Sequence, residues 1–331
     1  MCSGAYYPSV MDLDRMHAMC RRDQWDIDDL DWDVTPRSLS RADEVAVCQY
    51  FKDMSGIELL AGELFRVQAA QTDDPTLKAI FESFVVDEAR HSEVASRLSH
   101  HYDVHQYQAY ELNPHLARFA GPFVEAAHHL PPDVAAAYIT SGELLLDIAL
   151  LRSLDDFVDD EMSHRAMKLI NRDESRHIAI DYYMVGYYTS PEYLRWLHEQ
   201  PSPPVSTRLQ AYWAFATLLF HAGPFLREVF FEPMRLTDPA GQRLHEAIKR
   251  LQLLGRKPGV MDRPFSKFVG TVQTLFNDPT IGPIFGPFLA RLIGLPPHLV
   301  KRKYTDEDLA RYNQMSFQEL ADDALGAKNL H

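Results

Sequence analysis

A chain of 331 residues with 46% hydrophobic residues is long enough to bury a substantial core, as one large domain or two ordinary ones. Its formal net charge of −14 argues against a general nucleic-acid-binding function, because binding to phosphate backbones depends on lysine and arginine. Three cysteines, Cys2, Cys20 and Cys48, are too few and too irregularly spaced for a disulfide framework or a closed thiolate zinc site, which favours a reducing cytoplasm.

Secretion and membrane insertion are not expected, because no charged region precedes an apolar segment at the start of the sequence. The longest helical stretch without lysine, arginine, aspartate or glutamate is 209–226. It contains Gln210, His221 and Pro224 and falls short of the roughly 20 apolar residues that a membrane span needs. We therefore expect a cytoplasmic protein without a membrane partner, in which 209–226 is a buried core helix.

Three regions are predicted along the chain: an N-terminal arm at 1–39, a helical core at 40–190 and a C-terminal helical extension at 191–331. The arm is acidic and irregular, and it sets Trp25 and Trp32 among aspartates as packing anchors. The core shows apolar residues at helical spacing, with N-cap and proline signals at the starts of its segments. Its predicted helices lie at 40–71, 76–105, 133–157 and 166–189, with a short helix between prolines 114 and 131.

Regular alternation typical of strands is poor throughout, so the predicted fold class is all-α. Residues 240–303 hold eleven lysines and arginines against three acidic residues, whereas the rest of the chain is strongly acidic. Such a segment is typical of a solvated helix face, and it also suits the docking of an anionic carrier protein.

Two nearly identical pentapeptides stand out, DEARH at 87–91 and DESRH at 173–177. Residues three apart lie on one face of a helix, so Glu88 and His91 present a carboxylate and an imidazole to the same point. The same holds for Glu174 and His177. Each pentapeptide is therefore predicted to form half of a metal site.

A second repeat lies in the first and third predicted helices. The segments AGEL and SGEL place Glu63 and Glu143 in otherwise apolar surroundings. Glycine inside a helix costs about 1 kcal/mol relative to alanine, so Gly62 and Gly142 indicate that something else needs the space beside each glutamate.

The resulting donor set has one glutamate from each of two helices and one Glu-x-x-His from each of the other two. Its members are Glu63, Glu88, His91, Glu143, Glu174 and His177. This is the ligand pattern of di-iron and di-manganese carboxylate bundles. Two divalent metals would cancel four buried carboxylates, and oxygen and nitrogen donors without a thiolate favour iron or manganese over structural zinc.

The other letters of the pentapeptides suggest supporting roles. Asp87 and Asp173 are placed to accept the outer N–H of a ligand histidine on a neighbouring helix, and Arg90 and Arg176 could neutralise these aspartates. The alternative is that both pentapeptides are solvated helix faces carrying intrahelical ion pairs.

With these motifs, residues 40–190 resemble the ferritin-like di-iron carboxylate superfamily. The D-E-x-R-H spelling is similar to that of soluble methane monooxygenase, acyl-carrier desaturases and the para-aminobenzoate N-oxygenase type. Chain length, the spacing from Glu143 to Glu174 and the extra helices make the chain most similar to the last of these. The resemblance implies a ferritin-like four-helix bundle with additional N- and C-terminal helices. It also implies two iron ions, or a manganese and iron pair, with O2 as co-substrate.

The sequence departs from the N-oxygenase pattern at one position. That group is expected to carry a further histidine ligand where this chain has Ile170, and Asp181 or Asp147, each one turn past a proposed ligand, could take its place. A ribonucleotide reductase small subunit would carry a radical tyrosine where this chain has Ala95. Storage and rubrerythrin-type relatives fit the chain length and cysteines poorly.

The function expected from these features is O2-dependent oxidation of a small organic substrate, with N-oxygenation of an amine in specialised metabolism first. Alternatives are C–H hydroxylation or desaturation, a ferroxidase or peroxidase without an organic substrate, and a carrier-docking scaffold with a vestigial metal site. Because no Rossmann or haem motif is present, electrons are expected from an external donor. A homodimer is expected for a helical enzyme of this kind.

Overall fold

The computed structural model describes residues 11–293 and 297–328. These residues form α-helices joined by loops, and none of them lies in a β-strand. The predicted all-α fold class is therefore confirmed for this part of the chain. Cys2 lies outside it, while Cys20 and Cys48 are buried free thiols.

The N-terminal arm contains a helix that the sequence interpretation treated as irregular. This helix, α1, spans Leu13–Arg22, and the Asp12 carboxylate accepts the Arg15 N–H at its start. Only Met16 and Cys20 are buried along it, so its apolar periodicity is too short to stand out from the sequence. A 3-10 turn follows at Ile27–Asp29.

Helices α2 (Arg41–Gln71) and α3 (Pro75–Tyr102) form a long antiparallel hairpin. Ser40 is the N-cap of α2 and Asp74 is the N-cap of α3. Two serines of α3 then donate hydrogen bonds to main-chain carbonyls of α2, which holds the two helices in close register.

The third helix of the core is built from three consecutive segments. After α4 (Pro114–His129), α5 spans Pro132–Leu144, continues through a π-helical turn at Leu145–Leu151, and ends as α6 at Arg152–Val158. Short π-helical turns inside α-helices occur frequently at functional sites.

The fourth core helix, α7, spans Glu161–Tyr188 and begins before its predicted start at 166. The Asp160 carboxylate accepts the Ser163 N–H, so Asp160 is the N-cap of the helix. Helix α5 contacts α2 and α7, and α3 also contacts α7, so the four helices share one interior.

The described residues of the C-terminal extension form helices joined by loops. Its segments are α8 (Pro191–Glu199), α9 (Val205–Phe225), a π-helical turn (Leu226–Phe231), α10 (Glu232–Thr237), α11 (Gln242–Leu254), α12 (Pro264–Asn277), α13 (Gly282–Ile293), α14 (Pro297–Val300), α15 (Asp306–Gln314) and α16 (Phe317–Ala327). Helix α11 packs on α5 and its π-helical turn, and α16 packs on α7. The extension therefore covers the outer side of the third and fourth core helices.

Several lysines and arginines of 240–303 form ion pairs with carboxylates of the same chain. Arg243 and Arg263 pair with Asp156 and Asp133 of the core. Within the extension, Lys249 and Arg250 likewise contact carboxylates of α15 and α16. These pairs link the extension to the core and to itself, which reduces the basic surface left for an anionic carrier protein.

Helix α9 differs from the expectation of a buried core helix. Leu209, Tyr212, Trp213 and Phe220 are 62–75% exposed, whereas the opposite face of the helix packs against α4 and α13. Apolar composition alone led to the wrong assignment, because the sequence does not show which face of the helix is covered. Among the described residues, no helix is long and apolar enough to cross a membrane.

A close contact between α7 and α16 makes a test of this packing. A Cβ atom at Gly186 would lie 2.8 Å from Cδ2 of Phe317. We expect Gly186→Ala to lower the free energy of unfolding by about 1–2 kcal/mol, because the added methyl group overpacks the contact. Urea denaturation measures the change.

The matched control is Gly326→Ala on α16, where no described atom lies within 4 Å of the Cβ position. Alanine should be neutral or stabilising there, because it favours the helix. Equal effects of the two substitutions would contradict the packing of α16 on α7.

Candidate metal centre

Two groups of buried donors lie side by side in the core and share two glutamates. The first group is Glu58, Glu88, His91 and Glu174, and the second is Glu88, Glu143, Glu174 and His177. Within each group the potential ligand atoms all lie within 4.8 Å of one another. These groups could hold metal ions, and the shared Glu88 and Glu174 could contact both.

Four helices supply these side chains. Glu58 comes from α2, Glu143 from α5, and α3 and α7 each contribute one Glu-x-x-His turn. Every one of the six side chains is buried, with at most 4% of its surface exposed. The interpretation of the pentapeptides as solvated helix faces is therefore wrong, because both turn their glutamate and histidine into the interior.

Each imidazole faces both shared carboxylates through its Nδ1 atom. Nδ1 of His91 lies 3.0 Å from Oε1 of Glu174 and 3.6 Å from Oε2 of Glu88. Nδ1 of His177 lies 3.1 Å from Oε1 of Glu88 and 3.0 Å from Oε2 of Glu174. The Nδ1 atoms and the carboxylate oxygens thus point at the same small volume.

The outer nitrogen of each histidine contacts an aspartate on the other pentapeptide. Nε2 of His91 lies 3.3 Å from Oδ2 of Asp173, and Nε2 of His177 lies 3.6 Å from Oδ2 of Asp87. A carboxylate at Nε2 favours a proton there and leaves Nδ1 free for a metal. These are the positions that the sequence predicted for the two aspartates.

Asp173 is held by donors from two regions of the chain. The indole N–H of Trp25 donates to it at 2.6 Å and Arg176 donates at 2.7 Å. Burial acts to raise the pKa of Asp173, but the contacts with His91, Trp25 and Arg176 lower it to about 2. Asp173 is therefore ionised at neutral pH.

Asp87 has a matching set of donors, from Arg90 at 3.2 Å, Arg176 at 3.3 Å and Gln24 Nε2 at 3.2 Å. The two arginines therefore contact the aspartates as the sequence predicted. The sequence predicted Trp25 as a packing anchor but not its hydrogen bond to Asp173, and it gave no signal for Gln24.

The buried carboxylates carry more negative charge than the surrounding protein balances. Burial, reinforced by the neighbouring carboxylates of Glu88 and Glu174, raises the pKa of Glu58 and of Glu143 well above the ordinary value. Burial also acts on Glu174, but His177 and His91 hold its pKa well below the usual range. Burial acts to lower the pKa of His177, but Glu174, Asp87 and Glu88 keep it well above its ordinary value.

Unpaired oxygens show that the donor set fits metal ions. Neither carboxylate oxygen of Glu58, nor Oε2 of Glu143, accepts a hydrogen bond from the described residues. Such buried polar atoms normally have partners, because an unsatisfied acceptor costs free energy. A divalent cation between these oxygens and the Nδ1 atoms would satisfy them and balance their charge.

Glu63, predicted as the ligand from the first helix, does not join either group. Its side chain is 40% exposed and pairs with Arg66 on the outside of α2. Glu58 takes the expected place. Five residues separate the two positions, and at 100° per residue this turns them about 140° apart around the helix.

The burial of the residues around each glutamate shows which way α2 is turned. The residues one turn away from it, Met54, Ala61 and Gly62, are all buried, whereas Leu59 and Arg66 beside Glu63 are exposed. The glycine at position 62 is explained by helix packing and not by open space beside the glutamate. A Cβ there would lie 3.3 Å from Cβ of Glu88, so the glycine lets α3 approach α2.

The surroundings of Gly142 match the predicted open space better than those of Gly62 do. It is exposed, and no described atom lies within 4 Å of its Cβ position. The side of α5 next to Glu143 is therefore more accessible than the side of α2 next to Gly62.

The two possible extra ligands, Asp147 and Asp181, are buried but lie in neither donor group. Burial raises the pKa of Asp147 to about 7, although the Lys328 ammonium lies 3.1 Å from its Oδ2 and acts to lower it. Burial also raises the pKa of Asp181 well above the ordinary value. Ile170, at the position where the resemblance to the N-oxygenase type implied a histidine, is fully buried.

Four aromatic residues of the core helices, Phe65, Phe84, Tyr138 and Tyr182, are candidates for the wall of a substrate pocket at this centre. Phe65 and Phe84 are fully buried and lie with ring centroids 5.1 and 4.1 Å from that of His177. Tyr182 is buried farther along α7, its hydroxyl 3.3 Å from that of Tyr312. The Tyr138 side chain lies outside the described residues.

Comparisons with protein-family models, with curated proteins and with solved structures each found no match to this chain.

The choice between Glu58 and Glu63 is decided by metal stoichiometry. We expect about two Fe(II) or Mn(II) ions per native chain, and about one in Glu58→Gln, because an amide replaces a charged donor of one group only. Metal content by mass spectrometry after anaerobic loading and desalting measures the loss. The control Glu63→Gln should retain both ions, and a loss in Glu63→Gln with none in Glu58→Gln would reverse the assignment.

The aspartate contacts predict a second effect. Asp173→Asn should weaken metal binding by roughly 10–100-fold, because an amide holds the Nε2 proton of His91 less well than a carboxylate. Affinity is measured by competition with a coloured chelator. Asp28→Asn, at an exposed position of the N-terminal arm, serves as the control, and equal affinities of the two variants would show that Asp173 does not support the site.

Proposed function

We propose that this chain is an O2-dependent di-iron oxygenase with a ferritin-like helical core, acting on a small organic substrate. The observation that carries the proposal is the pair of overlapping donor groups that share Glu88 and Glu174. Two sites that share carboxylates are the arrangement expected of a dinuclear centre, since a shared carboxylate can bridge two cations.

The chemistry of the donors supports iron or manganese. Each group offers three carboxylates and one imidazole, and neither includes a cysteine. Hard oxygen donors with imidazole suit iron and manganese, whereas structural zinc sites are commonly rich in thiolate. The four glutamates also match the charge of two divalent ions.

The protein would hold and shield the centre. Asp173 and Asp87 lie 3.3 and 3.6 Å from the outer nitrogens of His91 and His177, where a carboxylate favours a proton, so both imidazoles would bind metal through Nδ1. Phe65 and Phe84 pack beside His177 and exclude water from that side. Two iron ions held by these donors would supply the reduction of O2 and the transfer of one of its oxygen atoms to the substrate.

N-oxygenation of an amine is the reaction we propose first, because chain length, the spacing from Glu143 to Glu174 and the extra helices resemble those of the N-oxygenase type. One oxygen atom of O2 enters an N–H bond of the amine to form a hydroxylamine, and the other leaves as water. Two electrons come from an external redox protein and two protons from solvent. The open space at Gly142, next to Glu143, is the side from which a substrate would approach.

The test uses the full chain loaded anaerobically with Fe(II), then given O2, a small redox protein with its reductase, and 4-aminobenzoate or aniline. We expect O2 consumption that depends on the amine and yields the hydroxylamine, detected by mass spectrometry. Glu88→Gln with Glu174→Gln should abolish both the iron content and the O2 consumption, because both donor groups lose their shared residues.

Glu63→Gln is the matched control and should retain both. Ring or alkyl hydroxylation in place of hydroxylamine would replace N-oxygenation by C–H oxidation. Consumption of O2 only in proportion to added Fe(II), without an organic product, would identify a ferroxidase. Iron-loaded protein that does not consume O2 under any of these conditions would overturn the proposed function.

A further inference from the structure

A separate cavity of about 290 Å³ lies between the core and the C-terminal extension. Its walls come from α5 and the π-helical turn after it, from α7, and from α11, α12 and α14. Most of the lining is apolar, including Leu145, Val185, Leu251, Phe265, Val269 and Val272. The volume is at the low end of the range of roughly 300–1,000 Å³ for small-molecule sites.

This cavity is distinct from the metal centre. Ser141 and Leu145 line it, and residues four apart share one face of a helix. Glu143, midway between them in sequence, projects from the opposite face and belongs to the metal centre. Helix α5 therefore stands between the two, with the metal centre on its inner side and the cavity on its outer side.

One buried polar group in the apolar lining has an unsatisfied donor. Gln273 is only 6% exposed, and its Nε2 atom has no hydrogen-bond partner among the described residues. Its Oε1 atom accepts from Nη2 of Arg256 at 2.9 Å and from Nε of Arg256 at 3.3 Å. Because arginine only donates, this contact fixes the orientation of the amide, and Nε2 is left without a partner in the wall of the cavity.

Arg256 is itself held in place. Its Nη2 also donates to the carbonyl of Gly270 at 3.3 Å, one turn before Gln273 on α12. A guanidinium hydrogen-bonded to Oε1 polarises the amide and strengthens Nε2 as a donor. The arrangement therefore presents one fixed, strengthened N–H donor to an apolar space.

Water fits this space poorly. A buried water needs two to four polar partners, and the polar side chains of the lining are few. The amide of Gln252, another lining residue, already donates to the carbonyls of Leu299 and Lys301 and accepts the N–H of Lys303. A ligand with an apolar body would fill the cavity and place an acceptor against Gln273.

The cavity also has an entrance. Phe268 and Val269 line it while remaining 39% and 42% exposed. Phe268 contacts Phe215 of α9, the helix whose outer face carries exposed aromatic residues. An apolar molecule would therefore meet an apolar surface before it enters.

We propose that this cavity is a binding site for a small apolar molecule that carries one hydrogen-bond acceptor oxygen, held by Nε2 of Gln273. The acceptor is a carboxylate or a carbonyl oxygen, and the positive charge of Arg256 behind the amide favours the carboxylate. The site is independent of the metal centre.

The test is calorimetric titration of the metal-free full chain with three probes of one chain length. Octanoate and 2-octanone carry an acceptor oxygen, whereas octylammonium carries only donors. We expect octanoate to bind most tightly, 2-octanone to bind more weakly, and octylammonium to bind at least tenfold more weakly than octanoate, because it faces a donor with another donor. Stronger binding of 2-octanone than of octanoate would identify a neutral carbonyl ligand.

Two substitutions locate the binding. Gln273→Met keeps a similar unbranched shape and removes the donor, so octanoate affinity should fall about tenfold while the protein stays folded. Val269→Trp should block the entrance and abolish binding of all probes. Val104→Trp, at a position that is 57% exposed outside the cavity, is the control and should change nothing.

Equal affinities of the native chain for octanoate and octylammonium, or unchanged octanoate affinity in Gln273→Met, would overturn the role of Gln273. Binding that Val269→Trp leaves unchanged would overturn the cavity as the site, as would native protein that binds none of the probes. Since the titration uses metal-free protein, these outcomes are separate from those that test the iron-dependent reaction.

Discussion

Four glutamates and two histidines meet inside the helical core, and the arrangement around them depends on how their charge is balanced. Carboxylates buried in a medium of low dielectric constant must be neutralised by protons or by cations. The imidazoles of His91 and His177 keep Glu174 ionised, whereas burial raises the pKa of Glu58 and Glu143. Two divalent ions would satisfy all four carboxylates together, including the oxygens that hydrogen bonds from the described residues leave unpaired.

The same constraint explains why the two pentapeptides have the same spelling. Each supplies a glutamate and a histidine to the centre, and an aspartate to the histidine of the other helix. Asp173 can remain ionised in the interior because Trp25 and Arg176 donate to it. The N-terminal arm is therefore part of the support of the centre, although it contributes no donor to either group.

Helix α5 separates two environments of opposite character. Its inner face carries Glu143 to the charged centre, and its outer face, with Ser141 and Leu145, borders an apolar cavity that the C-terminal extension lines on the other side. Ion pairs such as Arg263 with Asp133 hold that extension on the core. Positively charged residues that are conspicuous in the sequence of the extension thus form ion pairs within the protein. The cavity wall, in contrast, is mostly apolar, and Gln273 is a neutral polar side chain within it.

The sequence by itself determined the all-α class and the Glu-x-x-His turns, because both follow from local helical periodicity. It also indicated the aspartate partners, because a histidine that binds a metal through one ring nitrogen commonly donates the other N–H to a carboxylate. It did not determine whether Glu58 or Glu63 faces inward, or which face of α9 is covered. Those outcomes depend on the rotation of each helix against its neighbours, which is decided by packing between residues distant in sequence.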